Sequence, residues 1–358
     1  MRHLRNGTGF TILLALLLGG CGGGDMVAPA GGPGGENAIA EECGVEGTTT
    51  LVPVQKYLGK YDEAEPIARL QVAGDQVFFA IHDELYAVPL HGGARKLVYT
   101  AAVDIGVFWV LGDEILVPND SADSLDVVPR TGGAASKLVF PAGFFRNPDA
   151  IILSPDQQTF YFRTGAYVNS FAYWRFDWRS GEARELLPAG ELGDSQPIVL
   201  QSGYLYFTDR RGDELLSRAL YRIPVTGGSA EAVLVEGGYE MSLAGSDAES
   251  LYFAGATDTS NSAFYRVSRN GGVAEQIVEP SSLYYVSVSS DETVFTNLAG
   301  RAVVGFDEQV YEFPASGRGS TLLSMRCGIS TYAITDTDVV AATDDGNFNV
   351  SVIRIPLP

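Results

Sequence analysis

Apolar and polar positions alternate in short stretches along this chain. β-Branched and aromatic residues crowd those stretches, and no segment sustains a helical period. The stretches come in fours: IARLQVAG is followed by DQVFFAIH, by ELYAVPL and, past a Gly-Gly pair, by RKLVYT. The last two then recur as one phrase. LYAVPLHGGARKLV (Leu85 to Val98) returns as LDVVPRTGGAASKLV (Leu125 to Val139), LYRIPVTGGSAEAVLV (Leu220 to Val235) and FYRVSRNGGVAEQIV (Phe264 to Val278). YWRFDWRSGEARELL (Tyr173 to Leu187) and VYEFPASGRGSTLL (Val310 to Leu323) are weaker copies. Each copy predicts two strands joined by a tight hairpin, whose positive φ glycine adopts without steric cost. Pro89, Pro129 and Pro224 stand just before the pair, where a residue that cannot donate to a ladder fits a strand end.

From Gly92 through Gly132, Gly181, Gly227 and Gly271 to Gly317 the intervals lie between 40 and 49 residues. That period, filled with strands, predicts an all-β chain folded as a β-propeller. Second-and-third-strand pairs begin near Val77, Ile115, Thr159, Tyr204, Leu251, Thr293 and Asp338, which counts seven blades; six or eight stay open. The last group stops one strand short at Pro358. TTTLVPV (Thr48 to Val54), which looks like the outer strands KLVYT and AVLVE, is available to close the ring as an N-terminal strand and remove an open edge. The chain therefore divides into residues 1–20, a tether over 21–47 rich in Gly, Ala, Pro and Glu, and a propeller over 48–358.

Before that body, Phe10 to Leu18 is too short an apolar run to span a bilayer, which takes roughly 20 residues. Arg2 and Arg5 precede it and small residues follow, the layout of a secretory signal. Leu18-Gly19-Gly20-Cys21 resembles the lipobox of bacterial lipoproteins. The resemblance implies cleavage before Cys21, a lipid on that cysteine, and attachment to the cell envelope. With Gly22 next, the outer membrane is favoured, facing the periplasm or the cell surface. Net charge is −20, and losing Arg2 and Arg5 takes it to −22. Such a surface repels nucleic acid and anionic headgroups, so no nucleic-acid partner is expected and the membrane is met only through the N-terminal lipid. Cys43 and Cys327 remain, and an oxidising compartment permits a disulfide between them. Their predicted strands start at opposite faces of one blade, so a bridge requires residues 43–47 to fold back along the blade edge.

LSPDQQTFYF (Leu153 to Phe162) resembles the Ser-Pro-Asp turn pattern of TolB-like propellers, as do the LYRIP phrases. The resemblance covers nearly the whole body, is architectural, and implies binding roles in the envelope. Asp75, Asp113, Asp156, Asp247, Asp291 and Asp338 stand at the corresponding turns, where an Asp can hydrogen-bond its own backbone two residues on.

Catalytic signals are sparse. Only His82 and His91 follow the leader, and no nucleophile elbow or phosphate loop appears. No catalytic residue, cofactor or metal is assigned. Asp336, Asp338, Asp344 and Asp345, and Asp258 with Asn261, lack the spacing of a calcium loop. Binding is expected on the face formed by the second-to-third-strand loops and the blade connections, because function concentrates in loops on a rigid scaffold. Candidates there are Arg163, Tyr167, Asn169, Arg210 and Arg211 from long loops, with Phe144, Phe145, Tyr239 and Tyr284 from the connections. Aromatics and arginines in an acidic chain suit an envelope protein, peptide or glycan. Two readings compete with non-catalytic binding: a hydrolase or lyase using loop-face carboxylates, and a structural envelope scaffold.

Overall fold

A computed structural model describes residues 45–56, 67, 69–120, 124–140, 152–154, 158–164, 172–188, 196–210, 218–234, 240–258, 261–278, 293–298, 301–306, 309–313, 319–325, 329–344 and 349–358. Everything described is strand, turn or connection, and no helix occurs among these residues.

Strand β1 (Thr49–Lys56) comes first in the chain. The first sheet is β2 (Leu70–Ala73), β3 (Gln76–Ile81), β4 (Glu84–Pro89) and β5 (Lys96–Thr100). The second is β6 (Trp109–Leu111), β7 (Glu114–Pro118), β8 (Ser124–Pro129) and β9 (Ser136–Val139). The third is β10 (Ile152–Leu153), β11 (Thr159–Thr164), β12 (Ala172–Asp177) and β13 (Glu182–Leu187). The fourth is β14 (Gln196–Gln201), β15 (Tyr204–Arg210), β16 (Arg218–Pro224) and β17 (Glu231–Leu234). The fifth is β18 (Glu240–Ser246), β19 (Ser250–Asp258), β20 (Asn261–Ser268) and β21 (Glu275–Val278). The sixth is β22 (Thr293–Leu298), β23 (Arg301–Phe306), β24 (Gln309–Phe313) and β25 (Ser320–Ser324). The remaining strands, β26 (Ile329–Ile334), β27 (Asp338–Asp344) and β28 (Asn349–Pro356), form a four-stranded sheet only because β1 pairs antiparallel with β28, Thr49 opposite Arg354. Neighbours are antiparallel throughout, and the fold is an all-β propeller.

Alternation is partial because the middle strands are buried on both faces. In β3 Phe78 and Phe79 are both fully buried, and successive side chains of a strand point to opposite faces. Phe79 accordingly packs with Val340 and Val352 of the seventh sheet, while Phe78 packs with Phe108 and Ile115 of the second. Each seam repeats this. Phe160 and Phe162 meet Trp109 and Leu116, Tyr173 meets Leu205 and Phe207, and Tyr206 meets Leu243 and Phe253. Tyr252 stacks on Phe313 at 5.7 Å across the fifth-to-sixth seam, and Val303 meets Val339 and Ile353 at the sixth-to-seventh. At about 1.5–3 kcal/mol per buried large apolar side chain, these seams supply the main driving force for assembly.

The sixth sheet corrects one sequence expectation. Thr293 begins its first strand, not its second, which starts at Arg301. Asp291 therefore comes before the first strand of the sheet, and Ala299-Gly300, between β22 and β23, stands where the first, second, fifth and seventh sheets have Asp75, Asp113, Asp247 and Asp338 near their first turns.

Candidate functional site

Antiparallel order puts the first-to-second turn of each sheet, and the Gly-containing hairpin of the first five, at one end, and the second-to-third connection at the other. Hydrogen bonds join the first two. Leu90 N donates to Asp75 O (2.7 Å), Arg130 N to Asp113 O (2.8 Å), Val225 N to Gly203 O (3.0 Å) and Arg269 N to Glu249 O (3.0 Å).

On the predicted binding face, Arg163 and Arg210 lie at the loop-side ends of β11 and β15, in register with Tyr173 and Arg218. Those strands belong to sheets that share a core, so the two positions are brought to one region of one face. Phe144, Phe145, Tyr167, Asn169, Arg211, Tyr239 and Tyr284 lie outside the described residues, as do Cys21, Cys43 and Cys327.

The same face carries a buried polar node that no sequence pattern singles out. Asp126, 7% exposed on β8, accepts from the Tyr99 hydroxyl of β5 (2.5 Å) and from Asn119 Nδ2 (2.9 Å). Ser124 Oγ donates to Asn119 Oδ1 (3.1 Å). Burial pushes the Tyr99 phenol up to about 12, and the hydrogen bond and negative charge of Asp126 push the same way. The node ties the outer strand of the first sheet to the third strand of the second. Nearby, His82 takes a φ of 52° in the β3–β4 turn, and its carbonyl accepts from Ile105 N (2.6 Å).

Arginines dominate the opposite face. Arg130 donates to Ala73 O of the preceding sheet and lies 5.4 Å from the centre of the Phe78 ring. Arg269 likewise reaches Ser202 Oγ of the sheet before it. Arg179 sits 4.5 Å over the Trp178 ring and 3.9 Å from Glu114 of the preceding sheet. All three stand two residues before a hairpin glycine, in Arg130-Thr131-Gly132, Arg179-Ser180-Gly181 and Arg269-Asn270-Gly271. An Arg-x-Gly recurrence was thus the available signal, masked by the glycines beside it. Asp177 shapes the third hairpin: its carboxylate accepts from Ser180 N (2.8 Å) and Arg179 N (3.1 Å), and those bonds, Ser180 first, hold it below the usual carboxylate range.

Two turn aspartates behave differently. Asp247 Oδ1 accepts from Glu249 N (2.8 Å) and Ser250 N (2.7 Å), the local turn bond expected of it, while Oδ2 takes the Tyr252 hydroxyl (2.6 Å). Asp338 is 2% exposed and pairs instead with Arg354 Nε (2.7 Å) and Thr337 Oγ1 (2.6 Å), its own amide donating to Thr335 Oγ1 (2.9 Å). Arg354 Nη1 also lies 3.2 Å from His91 Nδ1, across the seam to the first sheet.

Between the second and third sheets the hairpin face opens into a cleft of about 390 Å³. Leu111, Asp113 and Glu114 form one side, and Gln158, Trp178 and Arg179 the other. Among the described residues, no group of three or more His, Cys, Asp or Glu is placed to hold a metal ion.

No family model matches the chain, and no curated protein matches it. Solved structures do. An oligogalacturonate lyase in complex with manganese is 12% identical over 79% of this chain and 86% of its own, with a TM-score of 0.59. A puromycin-hydrolysing peptidase of Mycobacterium tuberculosis is 15% identical over 85% of this chain, with a TM-score of 0.60, and this chain spans 54% of its length. TolB from Acinetobacter baumannii aligns over 80% of this chain and 65% of its own at 13% identity and a TM-score of 0.46, too low to carry an argument. At such identities the likeness establishes the propeller fold alone.

Proposed function

We propose that this chain is a lipid-anchored, seven-bladed propeller of the bacterial cell envelope, closed by its N-terminal strand, that binds a protein, peptide or glycan partner without transforming it. The placement of Arg163 and Arg210 at the same end of neighbouring second strands carries the binding reading. In a chain of charge −20, two arginines at adjacent strand ends supply a positive charge suited to a carboxylate, a sulfate or a hydroxyl-rich surface. The lipobox-like Leu18 to Cys21 supports the anchor, and the seven four-stranded sheets support the blade count.

The test is capture of partners from envelope extract by the wild-type chain and by a chain carrying Arg163→Ala, Arg210→Ala and Arg211→Ala. A partner held by the first and lost by the second supports the proposal. Turnover of a candidate polysaccharide or peptide by the purified chain, abolished by loop-face carboxylate substitutions, transfers the assignment to the hydrolase or lyase reading. Equal capture by both chains removes these arginines from it.

A further inference from the structure

We propose that the cleft between the second and third sheets is a binding site for a cationic side chain, arginine above all, on an extended segment of a partner protein. It lies on the face opposite Arg163 and Arg210 and stands independently of the loop-face reading.

The chain itself shows what the cleft accepts. The Arg179 guanidinium lies over the Trp178 indole at 4.5 Å, within the reach of an attractive cation–π contact. Its ion pair is long, 3.9 Å to Glu114 Oε2, and its side chain is 64% exposed. An exposed pair of that kind contributes little to stability, so an incoming cation displaces Arg179 at small cost.

The surroundings select for charge. Asp113 is exposed in the β6–β7 turn and Glu114 opens β7; both line the cleft on the side opposite Trp178, and Glu114 Oε2 is the oxygen nearest Arg179. Once Arg179 swings away they form the acidic half of a site whose floor is aromatic. Leu111, buried, lines the apolar wall where the methylene stem of a long cationic side chain packs. A volume of about 390 Å³ is at the small end for ligand sites, suited to a side chain and its flanking backbone. Trp178 is anchored in the fold: its backbone N donates to Gln158 O (3.2 Å), and its ring lies 6.4 Å from Phe160 in the seam core. A neutral sugar meets the indole face and the carboxylates through its C–H and O–H groups alone, whereas a guanidinium adds its charge to both contacts.

The experiment uses the full chain labelled with ¹⁵N at its tryptophans. Three tryptophans give three indole N–H signals, and Trp178→Phe identifies the one that matters. The probe is the capped tripeptide Gly-Arg-Gly, compared with Gly-citrulline-Gly, which keeps the shape and removes the charge, and with a neutral disaccharide. The arginine peptide is expected to move the Trp178 signal with an affinity at least tenfold above the citrulline peptide. Asp113→Asn with Glu114→Gln weakens it about tenfold, and Arg179→Ala tightens it about threefold by removing the resident cation. Equal binding of the two peptides, preferential response to the disaccharide, or loss of binding in Arg179→Ala overturns the proposal. The charge comparison needs only the wild-type chain, so it stands even if a variant folds poorly.

Discussion

Substituting alanine at the first glycine of successive hairpins separates two costs that the repeated phrase hides. Gly92 and Gly271 have nearly equal backbone angles, φ 88° and 92°. An L side chain in this left-handed region costs about 1–2 kcal/mol, offset in part by the smaller entropy of the unfolded alanine chain. Gly92→Ala therefore destabilises by about 1 kcal/mol, since a Cβ there meets nothing within 4 Å. At Gly271 the same Cβ falls 2.8 Å from the carbonyl oxygen of Val233, on the outer strand of the preceding sheet. Backbone on one side and hairpin on the other leave no flexible tip to yield, so one sheet must shift, at roughly 1–3 kcal/mol more. Gly132, φ 83° and 3.1 Å from Val98 O, falls between. Thermal unfolding followed by circular dichroism measures the series. With about 2–4 °C per kcal/mol for bodies somewhat smaller than this one, Gly271→Ala melts several degrees below Gly92→Ala. Equal losses, or the reverse order, would show that the hairpin glycines serve φ alone and that the Val233 contact is no constraint.

Other substitutions probe the seams. Gln71 bridges the inner strands of the first two sheets, its Nε2 donating to Phe108 O and its Oε1 accepting from Val110 N, both at 2.9 Å. Gln71→Leu strands two backbone groups and is expected to cost about 2 kcal/mol and to speed hydrogen exchange at Val110; unchanged exchange there would refute the bridge. Tyr99 titrates at about 12 when folded, above its ordinary 10, so its contribution is complete below pH 10 and lost as pH rises through 12. Tyr99→Phe should therefore be less stable than wild type by about 1 kcal/mol at pH 8, a deficit that shrinks and disappears as pH rises from 10 toward 12, and parallel stability curves would contradict that linkage. Asp338→Asn leaves Arg354 without its counter-charge and is expected to lower stability by about 2 kcal/mol, read as a shifted urea midpoint; a neutral result would assign the pair no net worth.

Hydrophobic period and glycine spacing carried most of the fold. The strand pairs at Val77, Ile115 and Tyr204 lie where β3, β7 and β15 do, because burial on both faces makes VFFAI, EILVP and LYFTD distinctive runs between turn residues. Reading failed at the sixth sheet, where DETVFTNLAGRAVVGF offers two turn signals and local chemistry does not say which joins the first strand to the second. Only the pairing of Thr293 with Phe306 resolves it. Asp126 was illegible for a related reason. Its partner Tyr99 is 27 residues earlier, and nothing in KLVYT distinguishes a tyrosine that reaches the next sheet from one that faces water.

On the hairpin face the repeated glycines explain themselves locally and mask the residues beside them. Yet the identity of a hairpin residue matters through what it reaches in the sheet before, which a repeat cannot disclose. At the position two before the glycine, Leu90 joins the apolar core of the seventh-to-first seam, Arg130 and Arg269 bond the preceding sheet, and Arg179 turns onto its own tryptophan. The third hairpin differs by one residue. Its Gly181 N donates to Asp177 O, four positions back, where Gly92, Gly132, Gly227 and Gly271 donate three back. That extra residue places Trp178 where Arg130 and Arg269 have their counterparts in the ladder, since Trp178 N takes the bond to the first turn. Arg179 is thereby displaced outward by one position, away from the carbonyl its counterpart Arg130 bonds. A one-residue insertion so converts a structural cation into an exposed one stacked on an indole beside two carboxylates, which is why the cleft arises at this seam.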